Sequence, residues 1–527
     1  MSDTTTTGVP KPSPALFDID EFNRRVVGAY NRGAGEQELE ADVATALSIV
    51  PAGTGTLRDF SYIAPELPLY DPSNCIGCME CVIECPDTAI LAKVVHPDTL
   101  DEEMAKISDP EVREAVRSRF VKTRKYWDAH EKKKEGSGGL FGIFIDPTKC
   151  KGCAECVDQC DDFALSMLQK TDKNIPQYQE TWNAYENLPD THPDYINERL
   201  LTDMMLTERT LLYTGGAGSC AGCGEATAIR MMLAATGFRY GAEEVGIVAA
   251  TGCNTVYTST YPYNPYRIPW TNSLFENAPA DAMGVRARWD QIGWQDKKLW
   301  VLGGDGAMND IGFQSLSRML LTGMDINVLV LDTQVYSNTG GQASTSSYMG
   351  QNTKMSFHGT AVQGKTERRK ELAQICMMHP DVYVAQTTCA DFNHFYKAVM
   401  AANEYKGPAI INVYTTCQPE HGVADDMASA QARLAKESRA FPIFIHDPNA
   451  GDRLKERIDL RGNPTVKEDW YTIPKTGEVI DFITFARSEG RFSKHFDAEG
   501  NPSDALLAAK DDRLKNWRML QELAGVI

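Results

Sequence analysis

Residues 303–342 read GGDGAMNDIGFQSLSRMLLTGMDINVLVLDTQVYSNTGGQ, and this stretch decides the fold. It begins at the end of an apolar run, KLWVLGG (298–304), bounded by glycines as a buried strand would be. A helix should follow, then a second strand, INVLVLD (326–332), ending at Thr333. Ligands of open α/β sheets gather beyond the carboxyl ends of the strands. Asp305 and Thr333 both fall there, on strands expected to be neighbours. Gly304 and Gly306 would let the backbone approach a diphosphate closely. A carboxylate, a hydroxyl and a backbone carbonyl are hard oxygen ligands of the kind Mg2+ takes beside phosphate. A lone Gly-Asp-Gly marks many ordinary strand-to-helix turns. The specificity comes from DTQVYSNTGGQ (332–342) at this distance.

Working outward, strand-like runs stand at VGIVAAT (245–251), VYVAQT (382–387) and AIINVYTT (409–416), with helical stretches between several of them. That alternation predicts an α/β fold with a mostly parallel sheet covered by helices on both faces. The tail from about residue 425 reads as irregular, then helical at its end.

Upstream the chemistry changes. Cys75, Cys78, Cys81 and Cys85 follow C-x2-C-x2-C-x3-C, and Cys150, Cys153, Cys156 and Cys160 repeat it. This is the run of two-cluster bacterial ferredoxins, in which the fourth cysteine of each run ligates the other cluster. Cys75, Cys78 and Cys81 are therefore paired with Cys160, and Cys150, Cys153 and Cys156 with Cys85. Zinc sites need four ligands in two pairs, which an eight-cysteine doublet fits poorly. Pro86 follows the first run, but Asp161 follows the second. That departure is expected to change the loop, and its carboxylate could lower that cluster's potential. Between the runs, residues 108–136 (SDPEVREAVRSRFVKTRKYWDAHEKKKEG) read as one helix capped by Ser108 or Asp109, with Pro110 in its first turn.

The 527 residues carry a formal charge of −19 and 42% hydrophobic residues. This is enough apolar material for a large core, and an acidic balance argues against a nucleic-acid partner. No apolar run reaches a membrane span, and MSDTTTTGVPKPSP lacks the pattern of a signal peptide. A cytoplasmic location follows, where fourteen cysteines suggest metal ligation over disulfides. Residues 1–15 read as disordered. The organisation expected is an N-terminal packing segment (1–70), a two-cluster ferredoxin-like α+β domain (71–165) with an insert at 96–140, a mostly helical linker (166–210) opening a phosphate- and metal-binding domain (166–425), and a C-terminal extension (426–527).

The chain resembles the C-terminal part of the pyruvate:ferredoxin (flavodoxin) oxidoreductase family. The likeness rests on the cysteine doublet, GSCAGCGE (218–225), ATGCNTVY (250–257), NSLFEN (272–277), GDGAMNDIGF (304–313), DTQVYSNTGGQ and VYTTCQPEHG (413–422). FPIFIHDPN (441–449) and DDRLKNWRMLQELAG (511–525) add to it. It covers roughly residues 50–95 and 140–527, leaving out the insert. The resemblance implies a thiamin diphosphate-binding fold and oxidative decarboxylation of a 2-oxoacid, most simply pyruvate, with coenzyme A as acyl acceptor. A close alternative is the same chemistry on 2-oxoglutarate or another 2-oxoacid. A different one is an electron-transfer subunit with a thiamin-like scaffold.

The resemblance also implies a third [4Fe-4S] cluster beside the thiamin, held by Cys220, Cys223, Cys253 and Cys417. Cys253 and Cys417 follow strands, but so does Cys389; spacing leaves the two open, and the family motif favours Cys417. Cys376 sits in a helical pattern and reads as a core thiol. Asp305, Thr333 and the carbonyl of Val335 are implied as Mg2+ ligands. Ser337 and Asn338 are implied to face the diphosphate and reacting centre, Asn338 as a donor to charge on the substrate oxygen or else as a turn residue. Phe275 would line the thiazolium or serve as a core aromatic, and His421 reads as a packing or capping residue. In the family, the carboxylate that activates the aminopyrimidine and the substrate and coenzyme A contacts precede the ferredoxin region. An alpha-type partner subunit is therefore expected, in a dimer of heterodimers, with ferredoxin or flavodoxin as acceptor. A basic run in the insert, Arg113, Arg117, Arg119, Lys122, Arg124, Lys125 and Lys132 to Lys134, could steer an acidic acceptor or be a solvated face.

Overall fold

A computed structural model of the chain describes residues 18–39 and 49–527. The reading of residues 1–15 as disordered lies outside the described residues.

The C-terminal two thirds form an eight-stranded sheet. Its strands are β6 (Val245–Ala250), β7 (Trp270–Ser273), β8 (Lys298–Gly304), β9 (Asn327–Asp332), β10 (Tyr383–Thr388), β11 (Ala409–Tyr414), β12 (Phe444–His446) and β13 (Ile458–Asp459). Their order is β13-β12-β10-β11-β9-β8-β6-β7. The six strands from β10 to β7 are parallel; β12 pairs antiparallel with β10, and β13 with β12. Every residue of β6, β9, β10 and β11 is buried, as expected for a sheet covered on both faces.

The two-residue period sorts the strand side chains between two cores. Trp300, Leu302, Leu329, Leu331 and Ile411 pack with the helices α1 (Gly224–Tyr240) and Phe392–Glu404. Their neighbours Leu299, Val301, Val328, Val330 and Ile410 pack with the helices Ala278–Gln291 and Phe313–Leu320. Residues 224–237 of α1 are all buried, so this helix runs through the core between the sheet and the cysteine-rich domain.

That domain consists of an antiparallel pair, β1 (Glu66–Tyr70) with β5 (Leu165–Gln169), and a three-stranded sheet ordered β2-β4-β3. The latter strands are Ile90–Val95, Phe120–Lys122 and Leu140–Ile145 for β2, β3 and β4. The β1–β5 pair straddles the boundaries expected at residues 70 and 165. The following helix is Asn174–Asn187.

The two cysteine runs are local copies of each other. Met79 and Ala154 take left-handed backbone angles before equivalent short helices. Thr88 and Phe163 both sit at φ 54°. Cys85 Sγ accepts from the Ala89 amide at 3.3 Å, and Cys160 Sγ from the Ala164 amide at 3.2 Å. Asp161 therefore leaves the loop unchanged, against expectation, because the left-handed residue two positions on and the N–H···S bond set the turn in both copies.

The insert is also not one helix. Pro110–Arg117 is helical, with Asp109 as its cap, but residues 120–122 leave the helix to become β3 on the open edge of β4. Phe120 packs edge-on against Phe144, and Thr123 then caps a second helical segment at Arg124. Edge pairing and aromatic burial outweigh the helical propensity of a polar run.

Candidate functional site

The order of the parallel strands brings the site together. Going across the sheet, β6, β8, β9 and β11 are adjacent, and their carboxyl ends lead into Cys253, Asp305, Thr333 and Cys417 in turn. Gly304 is in register with Leu331, which is in register with Val413. The four chemically active residues are thus placed side by side by backbone pairing alone.

Asp305 is fully buried and its carboxylate is surrounded by hydroxyls. Its Oδ1 accepts from the Thr333 amide (3.2 Å) and hydroxyl (3.1 Å), and its Oδ2 from Ser344 (2.5 Å) and Ser346 (3.1 Å). The Thr333 hydroxyl also lies 3.2 Å from the Val335 carbonyl and 2.6 Å from Ser337 Oγ. Three hard oxygens, Asp305 Oδ1, Thr333 Oγ1 and Val335 O, therefore converge, which is the donor set Mg2+ prefers. Burial, with the nearby charge of Asp332, pushes the Asp305 carboxyl up to about 7. A bound cation would relieve that cost by stabilising the carboxylate. Asp332 itself is neutralised by a buried ion pair with Arg369 (2.5 Å).

Thr333 and Val335 line one side of a cleft, with Asp305 fully buried next to them. Gly304, Gly306, Ser337 and Asn338 contribute to its wall, and Phe275 closes another side with Tyr336. A side chain at Gly306 would collide with the Tyr336 ring. Phe275 is half-buried and also packs against the core. Asn338 is exposed at the mouth. The cleft wall offers backbone and hydroxyl donors that suit a diphosphate, with the oxygens above as the metal seat.

Glu225, the last residue of GSCAGCGE, also lines the cleft and went unremarked in the sequence. It is buried, and Oε2 lacks a hydrogen-bond partner. Burial, then the charge of Asp305, pushes its carboxyl up to about 8. A Glu in the first turn of a helix is too common to have been singled out from sequence.

Cys253 lines the same cleft. Burial raises the Cys253 thiol, and Glu225, Cys223, Cys417 and Cys220 raise it further by their proximity. The Cys417 thiol is pushed up to about 12 by burial, and hydrogen-bonds the Ser337 hydroxyl. Gly222, at φ 68°, and Gly224 let the GSCAGCGE loop lie against Asp425 and Thr416, where any side chain would clash. That close approach carries Cys220 and Cys223 to Cys417. The Cys389 thiol donates to the Gly224 carbonyl at 3.6 Å, and its neighbours are Glu84, Cys223 and Glu155. Cys376 is buried in the core.

In the cysteine-rich domain the thiols surround two cavities. One, of about 340 Å3, is lined by Cys75, Cys78, Cys81 and Cys160. The other, of about 380 Å3, is lined by Cys85, Cys150, Cys153 and Cys156. The fourth cysteine of each run has crossed to the other run's cavity. Among the described residues no group of three or more His, Cys, Asp or Glu is placed to hold a lone metal ion, and all fourteen cysteines are free thiols. Buried free thiols around a cavity, in an apolar setting, fit a group larger than one ion, as a cubane is.

The basic run of the insert is dispersed. Arg113 donates to the Ile107 carbonyl, Arg117 pairs with Asp101, Lys125 with Asp203, and Arg119 lies against Phe144 and Tyr178. Lys122 stacks on Trp127. Arg124 and Lys132 to Lys134 stay exposed.

Comparison with known proteins agrees with this chemistry. Residues 250–413 match the family described as thiamine pyrophosphate enzyme, C-terminal TPP binding domain, and residues 67–90 match a 4Fe-4S binding domain. The chain is thus built from a thiamine pyrophosphate enzyme domain and an iron–sulfur ferredoxin-like domain. Over most of its length it is homologous to the pyruvate-flavodoxin and pyruvate:ferredoxin oxidoreductases. It is 28% identical to a probable pyruvate-flavodoxin oxidoreductase of Escherichia coli, over 86% of this chain and 42% of that protein. It is 26% identical to the pyruvate:ferredoxin oxidoreductase of Moorella thermoacetica, over 90% and 44% respectively. The chain therefore spans less than half the length of these relatives. Among solved structures, a 2-oxoglutarate:ferredoxin oxidoreductase from Magnetococcus marinus aligns over 38% of this chain and 65% of that one, at 21% identity and a TM-score of 0.33. No helix among the described residues is long and apolar enough to cross a membrane.

Proposed function

We propose that this chain is the thiamin- and iron–sulfur-bearing part of a 2-oxoacid oxidoreductase. The reaction is pyruvate, coenzyme A and two oxidised ferredoxins giving acetyl-coenzyme A, carbon dioxide, a proton and two reduced ferredoxins, and it is reversible. The observation that carries the reading is the placement of Cys253 and Cys417 on either side of Asp305 and Thr333 at four adjacent strand ends. Thiamin diphosphate supplies the electron sink for decarboxylation when bound. Asp305, Thr333 and the Val335 carbonyl hold Mg2+ against the diphosphate; Gly304, Gly306 and Ser337 bring backbone and hydroxyl donors to it. Asn338 stands at the mouth to donate to the substrate oxygen, and Phe275 shields one face from water.

Cys220, Cys223, Cys253 and Cys417 would hold an inner [4Fe-4S] cluster, which would supply one-electron redox chemistry beside the cleft. The eight cysteines of the two runs would hold two outer clusters of the same one-electron chemistry between the cleft and the surface. The cluster of Cys85, Cys150, Cys153 and Cys156 is the nearer to the thiamin domain, because Lys151 in its loop reaches the carbonyls of Ala217 and Ser219. The cluster of Cys75, Cys78, Cys81 and Cys160 is the exit, toward a cytoplasmic ferredoxin or flavodoxin.

The aminopyrimidine-activating carboxylate and the substrate and coenzyme A contacts are assigned to an alpha-type partner, in a dimer of heterodimers. The test is anaerobic mixing of the reconstituted complex with pyruvate or 2-oxoglutarate, each with coenzyme A, while following reduction of the clusters. Pyruvate-dependent reduction is expected, faster than with 2-oxoglutarate. A faster 2-oxoglutarate reaction would reassign the substrate, and no reduction by any 2-oxoacid would remove the enzymatic reading.

A further inference from the structure

The carbonyl of Thr333 points away from the cleft and is gripped from behind. His421 Nε2 lies 2.9 Å from it, and Arg491 Nη1 approaches at 3.5 Å. Arg491 Nη2 also donates to Gln334 Oε1 at 3.0 Å. Gln334 is a buried non-glycine residue at φ 58°, a left-handed conformation that costs about 1 kcal/mol or more unless its surroundings enforce it. That turn is what lets the Thr333 hydroxyl and the Val335 carbonyl face Asp305 together.

His421 ends the short helix α2 (Gln418–His421), whose cap is Cys417. One helical turn therefore joins a thiol of the proposed inner cluster to the backbone of the metal seat. The imidazole is wholly buried. A carbonyl oxygen only accepts, so the ring nitrogen that meets it, Nε2, must carry a proton. Its Nδ1 has no hydrogen-bond partner and lies 3.6 Å from Glu489 Oε1, which is already bonded to Tyr414 (2.9 Å) and Gln431 (3.1 Å).

We propose that His421 is a positioning residue, whose Nε2–H fixes the Thr333 carbonyl so that the Thr333–Val335 turn presents its oxygens to Mg2+ and diphosphate in register with Cys417. The inference rests on the cofactor site assigned above and adds to it a residue that touches neither cofactor nor substrate. Partners of this kind, one bond removed from a metal ligand, typically contribute about 10- to 100-fold in metal affinity.

The test is calorimetric binding of thiamin diphosphate with Mg2+ to the full chain in its complex, comparing His421→Gln, His421→Asn and His421→Leu. The Gln amide nitrogen can occupy the place of Nε2; the shorter Asn amide cannot. Binding within about 3-fold of wild type for His421→Gln, with losses of about 10- to 100-fold for Asn and Leu, is expected. Equal losses for Gln and Asn, or no loss for Leu, would overturn the proposal. Failure of the wild-type complex to bind would instead overturn the cofactor site, and the inference with it. Because Gln and Asn are alike in polarity, their contrast stands even if the Leu variant does not fold.

Discussion

Lys151 Nζ stands 2.6 Å from Asp87 Oδ1, and both side chains are almost entirely buried. The same ammonium donates to the carbonyls of Ala217 (2.9 Å) and Ser219 (2.8 Å) and to Ser219 Oγ (2.9 Å). Lys151 lies between Cys150 and Cys153, Asp87 two residues past Cys85, and Ser219 just before Cys220. One cation thus fastens both cysteine runs to the loop that opens the inner site. In the other copy the position of Lys151 is taken by Ile76 and that of Thr88 by Phe163, both exposed. The copies share a backbone but not a role: one end is docked, the other is open.

Breaking that bridge should be costly, because it leaves a buried carboxylate unpaired. Lys151→Met is expected to destabilise the chain by about 3–5 kcal/mol. Pairing it with Asp87→Asn should recover part of the loss. Anaerobic denaturant titration of the single and double variants checks this; a purely additive double variant would show that the two groups do not interact.

The inner ligand set makes a sharp distinction between two cysteines that spacing could not separate. Cys417→Ser should lose about four irons per chain, the content of one cubane. Cys389→Ser should lose none, because its thiol is turned toward the Gly224 carbonyl. Iron analysis with low-temperature spectroscopy of the reduced protein reads both, and the reverse result would move the fourth ligand to Cys389.

Much of this was legible in the sequence, and the gaps have physical causes. Strand ends could be read because buried parallel strands are continuous apolar runs, so Asp305, Thr333, Cys253 and Cys417 could be placed on one edge. The adjacency of β8 and β9 was expected, but the places of β6 and β11 on either side of them could not be read, since β10 pairs outside β11 and only tertiary packing sets that order. The insert misled because Phe120 and Val121 lie in a run rich in helix formers, while their strand depends on the distant edge of β4. Glu225 and His421 were missed as site residues for the same reason: their roles come from burial and from partners in β8, β9 and the tail.

The metal seat gives a prediction of its own. Thr333→Val keeps the shape but removes the hydroxyl that bridges Asp305 and Val335. Thiamin diphosphate affinity in the presence of Mg2+ should fall about 10- to 100-fold, as for loss of a hydrogen-bonding group beside a charge. Cluster content should be unchanged, since Thr333 touches no cysteine. Equilibrium dialysis against labelled cofactor checks the first, and iron analysis the second; unchanged affinity would place the metal elsewhere.

Of the basic residues in the insert, Arg124 and Lys132 to Lys134 are exposed, whereas Arg113, Arg117 and Lys125 are bound to partners within the chain. Reversing the charge of the exposed four should slow reduction of an acidic ferredoxin and flatten its dependence on salt, because steering falls with ionic strength. Reversing Arg117 should do neither beyond loosening its contact with Asp101. Stopped-flow reduction over a salt series is the measurement, and an unchanged rate for the fourfold variant would remove the insert from acceptor docking.

The proposed function requires a third cluster at the cofactor cleft, held by Cys220, Cys223, Cys253 and Cys417 beside Asp305 and Thr333. Iron and acid-labile sulfide per chain, measured on anaerobically purified protein, test it most directly. About twelve of each would correspond to three cubanes, the two outer ones and the inner one. About eight would leave only the ferredoxin-like pair, and Cys220, Cys223, Cys253 and Cys417 would no longer be an electron entry point.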